Sequence, residues 1–160
     1  YVVDYGKHEV RRYRRGESQG TVVAGGNGYG NRLDQLSLPH YVFVDRDHSV
    51  YVSDAYNHRV MKWMEGAKQG IVVAGGQGEG NGLTQLSYPE GVVVDELGTV
   101  YVADGGNARI MRWSKEATQG SVIVGGNGRG GQSNQFNRPF GLSFYRHGNL
   151  CLVDDGNHQI

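Results

Sequence analysis

Three glycine-rich stretches are the first candidates for a binding site. Each stretch has an apolar run that leads into clustered glycines, an order typical of loops that cradle a phosphate group. The stretches are VVAGGNGYGN from Val22, VVAGGQGEGN from Val72 and VIVGGNGRGG from Val122. The segments that follow are too short for the helix of a Rossmann or P-loop site, and no Gly-Lys-Ser/Thr follows the glycines. We therefore interpret the three stretches as connections between strands, in which glycine permits the backbone to turn.

Aspartates recur in two columns of the sequence, and paired carboxylates could act as general acid and base. An aspartate that ends a strand before Gly, Asn or Ala, however, more often accepts hydrogen bonds from backbone N–H groups in a turn. We therefore predict a structural turn network and no catalytic residues. The predicted members of this network are Asp4, Asp54, Asp104 and Asp154, with Arg59 and Arg109 pairing to aspartates.

The histidines lack the close spacing of a local metal site. His8, His58 and His158 share one column of the sequence, but Ala108 replaces the fourth member, which argues against a ring of ligands. A single cysteine excludes an intrachain disulfide and any multi-cysteine zinc site. We therefore expect neither metal ligands nor a cofactor.

The element that positions all these residues is a repeat of fifty residues. Written in rows of fifty, the chain aligns without a gap, and YVVD, YVSD, YVAD and CLVD fall in one column. Within the middle row, apolar residues alternate in four short runs, which predicts four strands. The runs cover residues 41–45, 49–54, 58–63 and 70–75. Four antiparallel strands per unit at constant spacing predict a β-propeller blade.

Two segments carry a resemblance to a known family. PEGVVVDELGTVYVADGGNARI (89–110) and DAYNHRVMKW (54–63) resemble the NHL repeat in motif order and spacing. This resemblance implies a β-propeller, commonly of six blades, in which the GVVVD-type strand lines the central axis.

The predicted fold class is all-β, with about three blades' worth of four-stranded NHL-type blades in a single segment, 1–160. The predicted divisions are a partial blade at 1–24, blades at 41–75 and 91–124, and a partial blade at 141–160. A six-bladed ring at this repeat length needs about 300 residues. We therefore expect the chain to be completed by the remaining blades of a longer chain or by a second copy.

The predicted binding residues vary between repeats at positions that a propeller places on one face. Connections from the fourth strand to the next first strand, and from the second strand to the third, emerge on the same side, and variable loop residues are natural recognition sites. These residues are Tyr5, Tyr29, His40, Tyr56, Glu79, Glu90, Arg129 and Phe140. Aromatic residues mixed with charges suit protein or small-ligand binding more than catalysis. The favoured function is therefore a noncatalytic binding scaffold.

Two alternatives remain open. The first alternative is a metal-dependent lyase or hydrolase. The resemblance implies it, because amidating lyases and gluconolactonase-like enzymes place metals on related propellers. RNA binding is the other, through the basic residues Arg11, Arg12, Arg14 and Arg15, as in some NHL propellers of tripartite-motif ubiquitin ligases. The 16 basic and 16 acidic residues cancel, which keeps RNA second, and no apolar run is long enough to predict a membrane partner. The sequence predicts no compartment.

Overall fold

The computed structural model describes the backbone of all 160 residues and every side chain except that of His147. Within these residues, thirteen strands form four antiparallel sheets. Four short 3₁₀ turns connect or follow strands. The chain is all-β and has the architecture of consecutive propeller blades.

The sheets follow one another along the chain. The first contains β1 (Val2–Asp4), β2 (Glu9–Arg12) and β3 (Thr21–Gly25). The second contains β4 (Pro39–Val44), β5 (Val50–Asp54), β6 (Arg59–Trp63) and β7 (Ile71–Gly75), with η1 (Ala55–Asn57) before β6. The third contains β8 (Pro89–Val94), β9 (Val100–Asp104), β10 (Arg109–Trp113) and β11 (Ser121–Gly125), with η2 (Gly105–Asn107) before β10. The fourth pairs β12 (Pro139–Phe144) with β13 (Leu150–Asp154), with η3 (Arg146–Gly148) between them and η4 (Asp155–Asn157) after β13.

The hydrophobic core lies between neighbouring sheets. Alternating residues of each strand point to one face of the sheet, so the apolar members of successive sheets meet. Between the second and third sheets, buried side chains such as Val60, Leu86, Val92 and Trp113 form one cluster. Burial of these side chains is the main favourable contribution to holding the sheets side by side.

In the second and third sheets, the first strand turns into the second strand through an aspartate. Asp95 Oδ1 accepts hydrogen bonds from the backbone N–H groups of Leu97 at 2.9 Å and Thr99 at 2.8 Å, and Asp45 makes the same pair of bonds in the second sheet. These bonds satisfy backbone donors that the strand ladder leaves free. Because neighbouring strands are antiparallel, this turn lies at the end of the strands opposite the glycine-rich loops.

The connection that leaves one sheet packs against the next sheet. Gly70 N–H donates to Leu33 O at 2.8 Å, which ties the loop after the first sheet to the second sheet. A side chain at Gly70 would clash with the ring of Trp63, because a Cβ there would lie 2.9 Å from it. Leu36, in the same connection, is fully buried. The connection is thus part of the core packing rather than a free loop.

The described helices are 3₁₀ turns of three residues, and none of them is long and apolar enough to cross a membrane. Three of them, η1, η2 and η4, follow a second strand and end in a left-handed residue. These residues are His58, Ala108 and His158, with φ of 51°, 50° and 54°. The repeated turn therefore fixes where the third strand begins.

Candidate functional site: the loop face

We call the side of the sheets that carries the glycine-rich loops, η1 and η2 the loop face. Identical polar side chains hold this face together at the second and third sheets. We call Asp54, Asn57 and Arg59 the junction clasp of the second sheet. Asp54 is fully buried, and its Oδ2 accepts from Arg59 Nε at 2.7 Å and from Asn57 Nδ2 at 2.8 Å. Its Oδ1 accepts from the backbone N–H of Ser37 at 2.6 Å, in the loop that arrives from the first sheet. The clasp therefore joins the turn of one sheet to the connection from the sheet before it.

The arginine of the clasp extends this junction. Arg59 Nη1 donates to Asn31 O at 2.9 Å, and Nη2 donates to Arg32 O at 3.0 Å and to Gln35 O at 3.3 Å. A planar guanidinium with five donors is suited to holding several carbonyls at once. The side chain thus fixes the shape of the incoming loop.

The third sheet repeats the clasp with Asp104, Asn107 and Arg109. Burial raises the pKa of the Asp104 carboxyl, and the hydrogen bonds from Asn107, Ser87 N–H and Arg109 oppose that rise. The pKa of Asp54 is raised in the same way, by burial first. Each clasp therefore holds a buried carboxyl that depends on its donors.

The first and last rows differ from these clasps. Asp154 keeps the bonds from Asn157 Nδ2 at 2.7 Å and from Asn137 N–H at 3.0 Å, but Gln159 occupies the arginine column. Asp4 is partly exposed and accepts from the Lys7 backbone N–H at 3.0 Å, and Lys7 and Glu9 occupy the asparagine and arginine columns of the clasp.

Three residues within the glycine-rich loops were predicted to bind, and each contacts its own protein. Tyr29 packs edge-to-face on the ring of His8, with centroids 5.2 Å apart. Glu79 Oε1 accepts from Ser87 Oγ at 2.9 Å. Arg129 donates to backbone carbonyls of its own loop and of η2. Tyr29 remains 63% exposed, so its ring is available to a ligand as well.

The residues after the prolines lie at the inner end of this face. His40 Nδ1 lies 2.8 Å from Glu90 Oε2, which links the first strands of the second and third sheets. The Glu90 side chain is only 8% exposed, whereas Phe140 of the fourth sheet is exposed, with the Arg138 guanidinium over its ring at 5.7 Å. The structure therefore brings His40 and Glu90 together as one pair.

An aromatic row continues outward from this pair. His40 is 6.5 Å from Tyr56, Tyr56 is 5.3 Å from Tyr88, and Tyr88 is 4.7 Å from His58, each measured between ring centroids in edge-to-face geometry. We call these four residues the aromatic row. The outer end of the row meets a carboxylate, because His58 Nε2 lies 3.9 Å from Glu79 Oε2.

Sequence reasoning did not include Tyr88 and His58 in the binding set. Tyr88 stands in the LSYP motif, where the first row has Leu38, and this repeated motif indicates a structural role for the position. The signal that could have found it is the change from Leu to Tyr within that column. Tyr5, the remaining predicted residue, lies in the exposed turn between β1 and β2 and is 67% exposed.

The basic cluster of the first sheet divides into two parts. Arg11 Nε bonds Glu9 Oε1 at 2.5 Å, and Arg12 Nη1 lies 3.5 Å from Glu65 Oε1 of the second sheet. Arg14 and Arg15 follow the strand and are exposed. The four arginines therefore do not form one free basic surface.

Among the described residues, the structure contains no group of three His, Cys, Asp or Glu side chains arranged to hold a metal ion. A cleft of about 1,130 Å³ opens on the opposite face, along the second, third and fourth sheets. It contains Asp95, whose Oδ2 accepts from the Tyr101 hydroxyl at 3.2 Å. Burial, and then the Asp95 charge, raise the pKa of Tyr101.

A family model matches the part of the chain that carries the clasp of the third sheet. The NHL repeat model matches residues 86–112, from Leu86 through most of β10. The chain contains an NHL repeat. No curated protein matches the chain in sequence.

Solved structures share the fold of this chain. A structural-genomics protein of unknown function from Bacteroides thetaiotaomicron matches 95% of the chain with a TM-score of 0.72 and 17% identity. An auxiliary nutrient binding protein from the same organism matches 95% of the chain with a TM-score of 0.69 and 16% identity. A streptogramin B lyase structure matches 75% with a TM-score of 0.51 and 11% identity. The chain covers 41%, 42% and 35% of these structures, and at such identities the likeness establishes the fold alone.

Proposed function

We propose that the chain is a noncatalytic binding scaffold whose loop face takes a cationic group of a protein segment or small ligand. The observation that carries this proposal is the aromatic row with a carboxylate at each end, Glu90 beside His40 and Glu79 beside His58. The name of one structural neighbour, a nutrient binding protein, agrees with a binding role.

The tyrosines of the row supply the contact surface. Tyr56 and Tyr88 are 47% and 38% exposed, so each ring keeps surface that a ligand can reach although the edge of one packs on the face of the other. A Lys or Arg group above a tyrosine face is attracted by the ring quadrupole, by about 0.5–1 kcal/mol at an exposed site. Two adjacent rings would therefore favour a ligand that combines positive charge with apolar surface.

The carboxylates supply the charge preference. Glu90 is largely buried at the inner end of the row, and a charge at the edge of a low-dielectric region attracts a counter-ion more strongly than a fully solvated one. Glu79 is more exposed and lies at the outer end. A ligand with basic groups spread along an extended segment would meet both.

Titration with penta-lysine, followed by calorimetry, tests this proposal. We expect saturable binding to the unchanged chain and no binding of penta-glutamate at the same ionic strength. The double variant Tyr56→Ala/Tyr88→Ala should weaken penta-lysine binding by about tenfold, because two cation–π contacts are lost. The variant Glu90→Gln should weaken it as well.

The matched control is Tyr145→Ala, because Tyr145 is 60% exposed and lines the cleft on the opposite face. This variant should bind penta-lysine like the unchanged chain. An equal loss in the control and in the double variant, or no loss in either, would contradict the proposal.

The four sheets form, in our proposal, consecutive blades of one ring, with complete blades at 41–75 and 91–124 and partial blades at 1–24 and 141–160. Support comes from the contact between first strands of successive sheets: a Cβ at Gly91 would lie 2.5 Å from Phe140 O. The mass in solution distinguishes the two ways of completing the ring. A dimer indicates a second copy, and a monomer indicates further blades of a longer chain.

A further inference from the structure

A second candidate site opens on the loop face beside the third sheet. A pocket of about 410 Å³ lies between η2 and the glycine-rich loop after β11. Its walls include Asn107, Ala108, Arg109, Gly126 and Arg129. The corresponding column holds His8, His58 and His158 in the other rows, so Ala108 is where a ring is missing.

The second sheet shows what normally fills this space. The His58 ring packs against Tyr88, and its Nδ1 accepts from the Tyr88 backbone N–H at 3.2 Å. Glu79, from the glycine-rich loop, places its carboxylate 3.9 Å from His58 Nε2. At this position the second sheet therefore carries its own imidazole and its own carboxylate.

The third sheet differs at both positions. Ala108 removes the ring, and Arg129 stands in the column of Glu79. Arg129 Nη1 donates to Asn137 O at 3.1 Å, and Nη2 donates to Gly105 O at 3.3 Å, which holds the guanidinium at the pocket wall. Hydrogen bonds to neutral carbonyls leave its positive charge uncompensated.

The loop beside this pocket approaches its neighbouring strand as closely as its counterpart does, and no closer. A Cβ on Gly126 would lie 3.7 Å from Arg109 Cβ, the same distance that a Cβ on Gly76 would have from Arg59 Cβ in the second sheet. The missing ring is therefore not compensated by collapse of the glycine-rich loop onto the strand.

The charge balance of the pocket is positive. Among the described residues, no carboxylate oxygen lies within 4.0 Å of the Arg129 guanidinium. The other arginine of the pocket, Arg109, is paired with buried Asp104 at 2.7 Å. The pocket thus offers a fixed guanidinium with unused N–H groups beside Ala108, where the second sheet carries the His58 ring.

We propose that this pocket binds a small oxyanion, a phosphate or carboxylate group, with Arg129 as the charged donor and Ala108 as the residue that provides the space. The site is separate from the aromatic row and does not rest on the function proposed for that row. The bound anion would lie beside Ala108, at the position that the His58 ring has in the second sheet.

Titration of the chain with inorganic phosphate and with acetate tests this site. Amide chemical shifts of Gly126, Gly128 and Arg129 are followed by NMR at constant ionic strength, with chloride as the balancing anion. We expect saturable shifts confined to this loop, and the tighter of the two anions identifies the group that the pocket prefers. Arg129→Gln should weaken binding by about tenfold or more, because a charge-assisted hydrogen bond is lost.

The repeat itself supplies matched controls. Ala108→His should abolish binding by filling the pocket, and the backbone accepts histidine there, since His58 has nearly the same φ. Arg14→Gln removes an exposed arginine outside the pocket and should leave binding unchanged. In the reciprocal variant His58→Ala/Glu79→Arg, saturable shifts should appear in the second loop.

Three results would overturn the proposal. They are shifts that never saturate, the same affinity in Arg129→Gln as in the unchanged chain, and binding that survives in Ala108→His while its circular dichroism shows a folded protein. Penta-lysine binding measured on the same variants separates this site from the aromatic row, because Arg129→Gln should leave that binding intact.

Discussion

The second and third sheets present the same clasp beneath different surfaces. Asp54–Arg59 and Asp104–Arg109 have equal Nε–Oδ2 distances of 2.7 Å. Above them, His58 and Glu79 in one sheet correspond to Ala108 and Arg129 in the other. The backbone of the loop face is thus held by buried polar contacts that are the same in the two sheets. The positions above these contacts can therefore differ in size and charge without altering the backbone that carries them.

The largest expected effect comes from breaking one clasp. Arg109→Ala leaves the buried Asp104 carboxylate and the carbonyls of Asn81, Gly82 and Gln85 without their donor. Removal of one partner of a buried ion pair costs about 3–5 kcal/mol, and we expect a loss of this size in the free energy of unfolding, measured with urea.

The control for this prediction lies on the same strand. Arg112 is exposed and donates only to Ser121 Oγ at 3.3 Å, so Arg112→Ala should change stability by about 0.5 kcal/mol or less. Similar losses in both variants would show that the clasp does not hold the junction. Arg109→Lys should recover only part of the stability, because an ammonium cannot reproduce the planar fork.

The repeat, the strands and the propeller architecture could be predicted because they depend on local patterns. Alternating apolar residues, aspartate turns and a constant spacing recur in each row and reinforce one another. The carbonyl partners of Arg59 were beyond prediction, because they lie 24 to 28 residues earlier in a loop whose path depends on packing. The aromatic row could not be predicted from the sequence either, since Tyr56 and Tyr88 meet only after two sheets come together.

A second prediction contrasts two glycines within one loop, both with positive φ. A Cβ on Gly75 would lie 2.5 Å from His58 O and 2.8 Å from Leu86 Cδ1, whereas a Cβ on Gly78 would meet nothing within 4 Å. Gly78→Ala should therefore cost only the strain of a left-handed alanine, about 1–2 kcal/mol. Gly75→Ala should cost that strain and about 1–3 kcal/mol more, because the added carbon overpacks the junction.

Urea unfolding of the two alanine variants measures this difference. Equal losses would mean that the loop relaxes away from β6, and that the close approach at Gly75 does not define the junction. A larger loss at Gly78 would contradict the structural assignment of the loop. The outcome separates glycines that shape the frame from those that only permit a turn.

The smallest expected effect concerns the opposite face, where the same column of tyrosines meets different charges. Tyr51 has the Lys62 ammonium 5.0 Å from its ring centroid, whereas Tyr101 donates to Asp95 Oδ2. Burial raises the pKa of both hydroxyls, and the Lys62 charge opposes the rise at Tyr51 while the Asp95 charge adds to it at Tyr101. In the unfolded chain a tyrosine ionises near pH 10.

The sign of the pH dependence follows from this raised pKa. Because folded Tyr101 keeps its proton beyond the pH at which the unfolded chain loses it, its contribution to stability is fully present below about pH 10 and is lost as pH rises through the folded pKa. Tyr101→Phe should therefore make stability fall less steeply above that pH, and absorbance titration should lose a late-ionising tyrosine. Asp95→Asn keeps a turn-forming side chain but removes the charge, so the pKa of Tyr101 should move down towards its ordinary value. An unchanged titration in Asp95→Asn would mean that burial alone holds the proton on Tyr101, and that the charge difference between the two sheets does not reach their tyrosines.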